Sequence, residues 1–474
     1  MADTWNHRRG QCIYVLTCAA LLLTGCAPQG PYAAPTFPFL GGYQSAAHAA
    51  PVLLRNDNWW LRLGDPVLNR LVAAGLGGNL SLEIARARIA GAEAAVAATP
   101  GLISLQPSLS ATASGALDQD PTDLAPTGRG TAQVSLNWLL DPYGAHKAQT
   151  AAARATVEVA AAELAAARLL VLYSLSNAYV DLRYRQTLVA LRDQEMRSRR
   201  QTLAMTVTLL EAQSATRLEA ARSEARMAEI EAQMPGLRAA VAAKKNEIAV
   251  LVGVAPGTLS IDLDRHATQP RPELATNVGI PADLLRNRPD IQIAERRYYI
   301  ALAGLTEAQA ALYPRLSLTG ALTLNLGEAG RSAAGYVFGP TLQLPSLQLS
   351  GLPTGAARAG VTKARAEIDA AHASWKSTVL TALLEVENAM LDYRAATASQ
   401  HGTDKAARLY GETLELTREV FAQGDATLGD LIAAEQELAG ARQAQAQTLF
   451  QRAQSFVALN VRLGAGHGVA AVVP

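Results

Sequence analysis

The sequence predicts a mostly α-helical protein that also carries membrane β-strands. Three observations support this: stretches free of glycine and proline that outrun any globular helix, four short segments alternating with period 2, and a duplication that repeats both. The 474 residues are 49% hydrophobic, 18% charged and 5% aromatic, with a formal net charge of +1. Such a chain has no basic field for nucleic acid, and its apolar content argues against disorder. Past residue 25 no uninterrupted apolar run reaches the ~18 residues of a membrane-spanning helix, which argues against a helical polytopic membrane protein.

The N-terminus reads as a processing signal over residues 1–25. His7, Arg8 and Arg9 precede an apolar run from Cys12 to Leu23, and Leu23-Thr24-Gly25-Cys26 follows. A basic start, a 7–15-residue apolar core and small residues at the cut mark a secretory signal. The segment resembles a bacterial lipoprotein signal, in which the Cys26 thiol takes a diacylglyceryl group. An ordinary signal peptide that happens to contain a cysteine, or a twin-arginine signal through Arg8-Arg9, are the alternatives. Removing residues 1–25 also removes Cys12 and Cys18, so the mature chain keeps one cysteine and forms no internal disulfide. Acyl chains on Cys26 would hold residues 26–65, an N-terminal strap, at a bilayer.

The remainder is duplicated. Pro107-Ser108-Leu109-Ser110 recurs as Pro314-Arg315-Leu316-Ser317, and Ala215-Thr216 recurs as Ala426-Thr427. The first repeat covers 66–260: a helix, strands about 104–117 and 131–140, a long helix 145–210 and a helix 215–252. A linker occupies 261–288. The second repeat covers 289–467: a helix, strands about 315–326 and 337–349, a long helix 356–422 and a helix 427–463. A tail, 468–474, closes the chain. From Ala145 to Met234 there is neither glycine nor proline, and alanine, leucine, glutamate and arginine favour helix throughout. At ~1.5 Å per residue the first long helix reaches roughly 100 Å. Small alanines at the seams suit coiled-coil packing.

The alternating segments have the length of tilted membrane strands, ~9–11 residues. Leu316, Leu318, Leu322, Leu324 and Leu326 share one side, and Ser317, Thr319, Ala321, Thr323 and Asn325 take the other. Phe338, Pro340, Leu342 and Leu344 oppose Gly339, Thr341 and Gln343. In the first repeat Leu105, Leu109, Ala111, Ala113 and Leu117 oppose Ser108, Ser110, Thr112 and Ser114. Ala132, Val134, Leu136 and Trp138 oppose Thr131, Gln133, Ser135 and Asn137. A half-buried soluble sheet would alternate in the same way. In a bilayer every backbone N–H and C=O must be paired, so four strands with open edges need strands from further copies. Two copies supply 8 strands, whose interior side chains fill; polar inner faces favour a wet lumen and three copies or more.

Four motifs identify the chain as similar to a known family. Trp59-Trp60 with Gly64-Asp65-Pro66, Trp138-Leu139-Leu140-Asp141-Pro142-Tyr143-Gly144, Arg288-Pro289-Asp290-Ile291 with Ala294-Glu295, and Tyr313-Pro314 before Leu316-Ser317-Leu318-Thr319-Gly320 are its signatures. The chain resembles the TolC- and OprM-like outer-membrane factors of tripartite efflux systems, in their NodT-type lipoprotein branch, over residues 23–467. The resemblance implies a homotrimer with a 12-stranded barrel in outer-membrane lipid and a coiled-coil periplasmic tunnel. It implies a passive exit duct served by a periplasmic adaptor (a membrane fusion protein) and an inner-membrane pump of the RND type, with no catalysis and no cofactor. The hairpin tips Gln213, Ser214, Thr216, Gly424 and Asp425 would meet the adaptor. Phe421, Asp430 and Glu435 would form the periplasmic constriction.

The match departs from the family pattern there. Phe421 stands where a tyrosine is usual, Leu431-Ile432-Ala433-Ala434-Glu435 lacks the common aspartate, and Gln213 replaces a glycine. A ring of acids would select cations, whereas an ordinary solvated acid at a helix start is the plainer reading of Asp430. The seven histidines, at 7, 48, 146, 266, 372, 401 and 467, include no pair at metal-binding spacing, so no metal site is expected. A structural periplasmic coiled-coil lipoprotein without pore activity is the competing class.

Overall fold

The computed structural model describes residues 34–38, 42–43, 57–114, 127–264, 268–272, 281–326, 332–344 and 355–468. Cys26 and Leu117 lie outside them. The chain divides into two compact units. One comprises Met1–Thr36, Ile89–Val159 and Ala294–Trp375; the other comprises Phe37–Arg88, Ala160–Ile293 and Lys376–Pro474.

The first unit is built on one four-stranded sheet of β1 (Ile103–Ser114), β2 (Thr127–Leu140), β3 (Arg315–Leu326) and β4 (Ser332–Gln343). Its order is β1-β2-β3-β4 with every pair antiparallel, so one strand pair from each repeat joins at β2 and β3. Two strands begin earlier than the sequence predicts. Thr127–Gly130 and Ser332–Gly335 are rich in small residues that read as turn, yet both pair fully with their neighbours. Pairing outweighs intrinsic preference in a sheet. Where β2 ends, Gly144 takes a left-handed φ of 74° and Lys147 N donates to Asp141 Oδ2 at 3.0 Å. Tyr143 stacks on Tyr313 at 4.5 Å, so the turn motif and the Tyr-Pro motif of the two repeats touch.

Helices fill the remainder. The single helix predicted at the start of the first repeat is two, α1 (Pro66–Gly78) and α2 (Leu80–Ala97). Gly77 and Gly78 weaken the helix there, and Asn79 turns extended, its Oδ1 accepting from Ser81 N at 2.9 Å. After β2 come α3 (Ala145–Glu211, 67 residues) and α4 (Arg217–Val252). Then follow the short α5 (Leu284–Asn287), α6 (Pro289–Ala310), α7 (Gly355–Gln423, 69 residues) and α8 (Leu428–Arg462).

The duplication extends to atomic detail at the ends of α4 and α8. Gly253 and Gly464, 211 residues apart, are both left-handed, with φ of 92° and 76°. Val254 N donates to Ala249 O and Ala465 N to Asn460 O, each at 3.0 Å, completing the same helix-ending motif. A Cβ at Gly253 would lie 2.0 Å from Gly78 O, and one at Gly464 would lie 2.2 Å from Asn287 O. Each glycine therefore packs its backbone against the break that precedes α2 or α6. Asn79 Nδ2 donates to Leu251 O at 2.7 Å, and Arg288 Nη1 donates to Arg462 O at 3.0 Å, again 211 residues apart. The Arg-Pro-Asp motif owes its composition to this joint: Arg288 also grips both oxygens of Asp290 and reaches Glu385 at 2.8 Å.

The Gly-Asp-Pro motif is equally structural. Gly64 is left-handed, Asp65 caps α1 by accepting from Val67 N at 2.8 Å, and Pro66 occupies the first helical position. Tyr179 donates its hydroxyl to Asp65, and the fully buried Arg183 donates to Tyr179 and to Leu263 O. The linker also takes hold of the second repeat, since Gln269 donates to Ala446 O and Arg452 to Pro272 O. Trp59 is fully buried and its Nε1 donates to Ala465 O at 3.3 Å, which fastens the N-terminal segment to the end of α8.

Candidate functional site

The sheet register decides which side chains share a face. Directly opposed residues of antiparallel strands lie on the same side. Leu316 faces Leu140 and Leu342, Leu318 faces Trp138 and Pro340, Leu322 faces Val134 and Tyr336, and Leu324 faces Ala132 and Ala334. Continuing to β1, Trp138 faces Ile103, Leu136 faces Leu105 and Ala132 faces Leu109. One face of the sheet is thus almost wholly apolar. The other presents Gln106, Ser135, Ser317, Thr323 and their neighbours. On that face Thr131 Oγ1 donates to Asn325 Oδ1 at 3.2 Å, and the Thr319 and Thr341 hydroxyls lie 2.9 Å apart.

Among the described residues nothing covers the apolar face. Leu109 is 80% exposed, Tyr336 84% and Leu322 59%; Leu324 and Leu326 are also exposed, while Leu316 and Leu318 are half-buried. A contiguous apolar surface of this kind marks contact with lipid or protein. β1 and β4 are the sheet's edges, each with a row of backbone groups that no described strand pairs. No described helix is long and apolar enough to cross a membrane.

The two helix hairpins end in matching turns. At the first, Gln213 N donates to Leu210 O at 3.0 Å and Ser214 N to Leu209 O at 2.8 Å. At the second, Gly424 N donates to Phe421 O at 3.0 Å and Asp425 N to Val420 O at 3.1 Å. Gln213 adopts φ 58°, the left-handed position that Gly424 fills with φ 88°. Each following helix starts on a reciprocal cap, Thr216 with Glu219 and Thr427 with Asp430. Thr427 donates both N–H (2.9 Å) and hydroxyl (2.6 Å) to Asp430 Oδ2. Those bonds hold the exposed Asp430 carboxyl below its ordinary range, and the Thr216 bonds do the same for Glu219.

Phe421 is half-buried and Glu435 is buried. Phe421 packs with Met205 on a buried cluster of Leu414, Leu431, Ala434 and Leu438. Glu435 is 8% exposed; it accepts from Ser198 Oγ at 2.6 Å and from Arg199 Nη1 at 3.2 Å, with Thr202 Oγ1 at 3.3 Å. It joins α8 to α3. Asp430 is the one of the three acid or aromatic candidates left in solvent. Among the described residues no group of three or more His, Cys, Asp or Glu side chains is placed to hold a metal ion.

The family model described as outer membrane efflux protein matches residues 71–254 and 280–465, one stretch for each repeat. The chain belongs to the outer membrane efflux protein family. It is 31% identical to nodulation protein T of Rhizobium leguminosarum bv. trifolii over 454 residues, covering 94% of this chain and 96% of the relative. An antibiotic efflux pump outer membrane protein of Pseudomonas putida, ArpC, is 26% identical over 79% of both chains. Among solved structures, the outer-membrane channel OprN superposes with a TM-score of 0.81 at 28% identity, over 93% of this chain and all of that one. The protein is therefore an outer-membrane efflux channel, of a family of channels and not of enzymes. Its mostly helical fold with a small sheet is that of the solved outer-membrane channels.

Sequence reasoning missed the partners of Glu435. Ser198, Arg199 and Thr202 stand more than 230 residues away in a uniformly helical stretch, and no local pattern distinguishes them. The left-handed turn at Gln213 had a signal, the glycine at its counterpart Gly424.

Proposed function

We propose that three copies of this efflux channel pool their strands into one 12-stranded barrel in the outer membrane. Their helices continue it as a periplasmic duct, through which solutes delivered by an inner-membrane pump of the RND type and a periplasmic adaptor diffuse out. The observation that carries the reading is the four-stranded sheet with one apolar face and two open edges. In hydrocarbon each unpaired backbone group costs several kcal/mol, so β1 of one copy must pair with β4 of the next. Twelve strands leave room for water against the polar face where eight would not.

The helices support the same assembly. Leu380, Leu384, Leu391, Leu409, Leu416 and Val420 of α7 are each at least 39% exposed. At ~3.6 residues per turn they fall within about 40° of arc, a stripe that suits a neighbouring copy. The duct itself catalyses nothing and needs no cofactor. Cys26 carries the lipid anchor; the tips Gln213, Ser214, Thr216, Gly424 and Asp425 meet the adaptor. Asp430 places a negative charge at the narrow end, where Phe421 and Glu435 stiffen the helix ends behind it.

Detergent-extracted protein should run as a heat-modifiable trimer and conduct ions in planar bilayers. A monomer whose leucine face stays in water would overturn the reading and restore the non-pore lipoprotein, which neither the family nor the solved relatives favour. Cys26→Ser should abolish labelling by radioactive fatty acid; persistent labelling would remove the anchor from the proposal.

A further inference from the structure

In the second unit, α3, α7 and α8 line a half-open cavity of about 180 Å³ whose walls mix leucines with charge. Leu188, Leu191, Leu414 and Leu438 supply its apolar wall. Four arginines and three glutamates supply the rest, and the pairing between them is uneven. Arg192 meets Glu195 at 2.5 Å, Arg199 meets Glu435 at 3.2 Å and Arg418 meets Glu415 at 3.0 Å. Arg442 has no hydrogen-bond or ion-pair partner among the described residues. One guanidinium of the four is uncompensated, and it lines the cavity.

A guanidinium stays charged at every accessible pH and offers a planar fork that matches a carboxylate bidentately. A single negative charge balances the surplus; a phosphate or sulfate dianion would overshoot it and meet three glutamates. The leucine wall calls for an apolar body, and the volume sets its size, since an apolar cavity of about 150 Å³ accepts one benzene ring. We propose that this cavity binds a small aryl carboxylate, with the carboxylate on Arg442 and the ring against the four leucines. Spanning α3 and α8 beside the Arg199–Glu435 pair, the ligand would fasten the helices together close to their tips. The site would be independent of the membrane sheet and of any transported solute.

The test uses the assembled full-length protein in detergent and calorimetric titration with sodium benzoate. One saturable site per chain is expected. Benzyl alcohol, with the ring but no charge, and acetate, with the charge but no ring, should each bind about tenfold more weakly or worse. Arg442→Ala should lower benzoate affinity by about tenfold or more, with Arg442→Lys between it and the wild type. Arg226→Ala, which removes a cation paired with Glu229 outside the cavity, should leave it unchanged. Circular dichroism establishes that each variant is folded, and Arg442→Gln replaces the alanine variant should that fail to assemble. Absence of saturable benzoate binding to the assembled protein, which includes the case of a neighbouring chain's side chain filling the cavity, would overturn the proposal. So would equal affinities of wild type and Arg442→Ala, or of benzoate and benzyl alcohol.

Discussion

Arg199 and Glu435 meet at 3.2 Å with side chains 4% and 7% exposed, and they lie on helices from different repeats. A buried pair is costly to break because the surviving charge has no water to turn to. Glu435→Ala should destabilise the helical region by about 3–5 kcal/mol, whereas joint replacement of Arg199 and Glu435 by methionine and leucine should be close to neutral. Thermal unfolding followed by circular dichroism checks both. Equal losses in the single and double variants would show that the ion pair is not what matters.

Acid should loosen the hairpin tips in a defined direction. Hydrogen bonds from Thr427 and Thr216 lower the carboxyls of Asp430 and Glu219. A depressed folded value means that the caps contribute fully above the ordinary carboxylate value, about pH 4. Their contribution fades as pH falls through the folded value. Protection of the Thr216 and Thr427 amides against hydrogen exchange, relative to free amides at the same pH, should therefore hold from neutral pH to about pH 4 and fall only below. A fall in protection already near pH 6 would point to other groups.

The two tips should respond oppositely to glycine exchange. A non-glycine residue in the left-handed region costs about 1–2 kcal/mol, so Gln213→Gly should steady the first tip and Gly424→Ala should loosen the second by about 1 kcal/mol each. Local opening measured by hydrogen exchange at Ser214 and Asp425 reads the effect at each turn.

Gly253 and Gly464 tolerate nothing larger. A Cβ would sit 2.0–2.2 Å from backbone oxygen, at a left-handed φ besides. Gly464→Ala should cost about 4 kcal/mol or more, beyond the usual range for single substitutions, and deplete the assembled species on unheated gels. Assembly at the wild-type level would mean that the joint with Asn287 yields more easily than its geometry implies.

The two faces of β3 should separate stability from conduction. Leu322→Arg places a charge on the apolar face and should cost about 2–4 kcal/mol in a bilayer. Thr323→Arg, one residue on, should insert normally and change conductance instead. The Asp430→Asn channel should lose cation selectivity, and unchanged selectivity and conductance would remove Asp430 from the constriction.

Much of this architecture was readable in the sequence because two local periodicities determine it. Leu316 to Leu326 betray a strand by alternation alone, and the absence of glycine and proline beyond Ala145 betrays a long helix. The break at Asn79 also had its signal in Gly77-Gly78, but a following helical pattern through Leu80–Ala97 masks it. What no periodicity carries is contact between distant elements. Glu435 lies about one turn beyond Asp430 on α8, yet Arg199 takes it inward while Asp430 stays in water. Arg442 and its cavity likewise depend on how three helices meet.

The bond from Trp59 to Ala465 joins residues 406 positions apart. Secretion delivers such a chain amino end first, so Trp59 arrives while its acceptor is still to come. The indole cannot make that bond until Ala465 has emerged, and a product cut short before Ala465 would leave it without that partner. Arrival of the end of α8 thereby becomes a condition for closing this part of the structure.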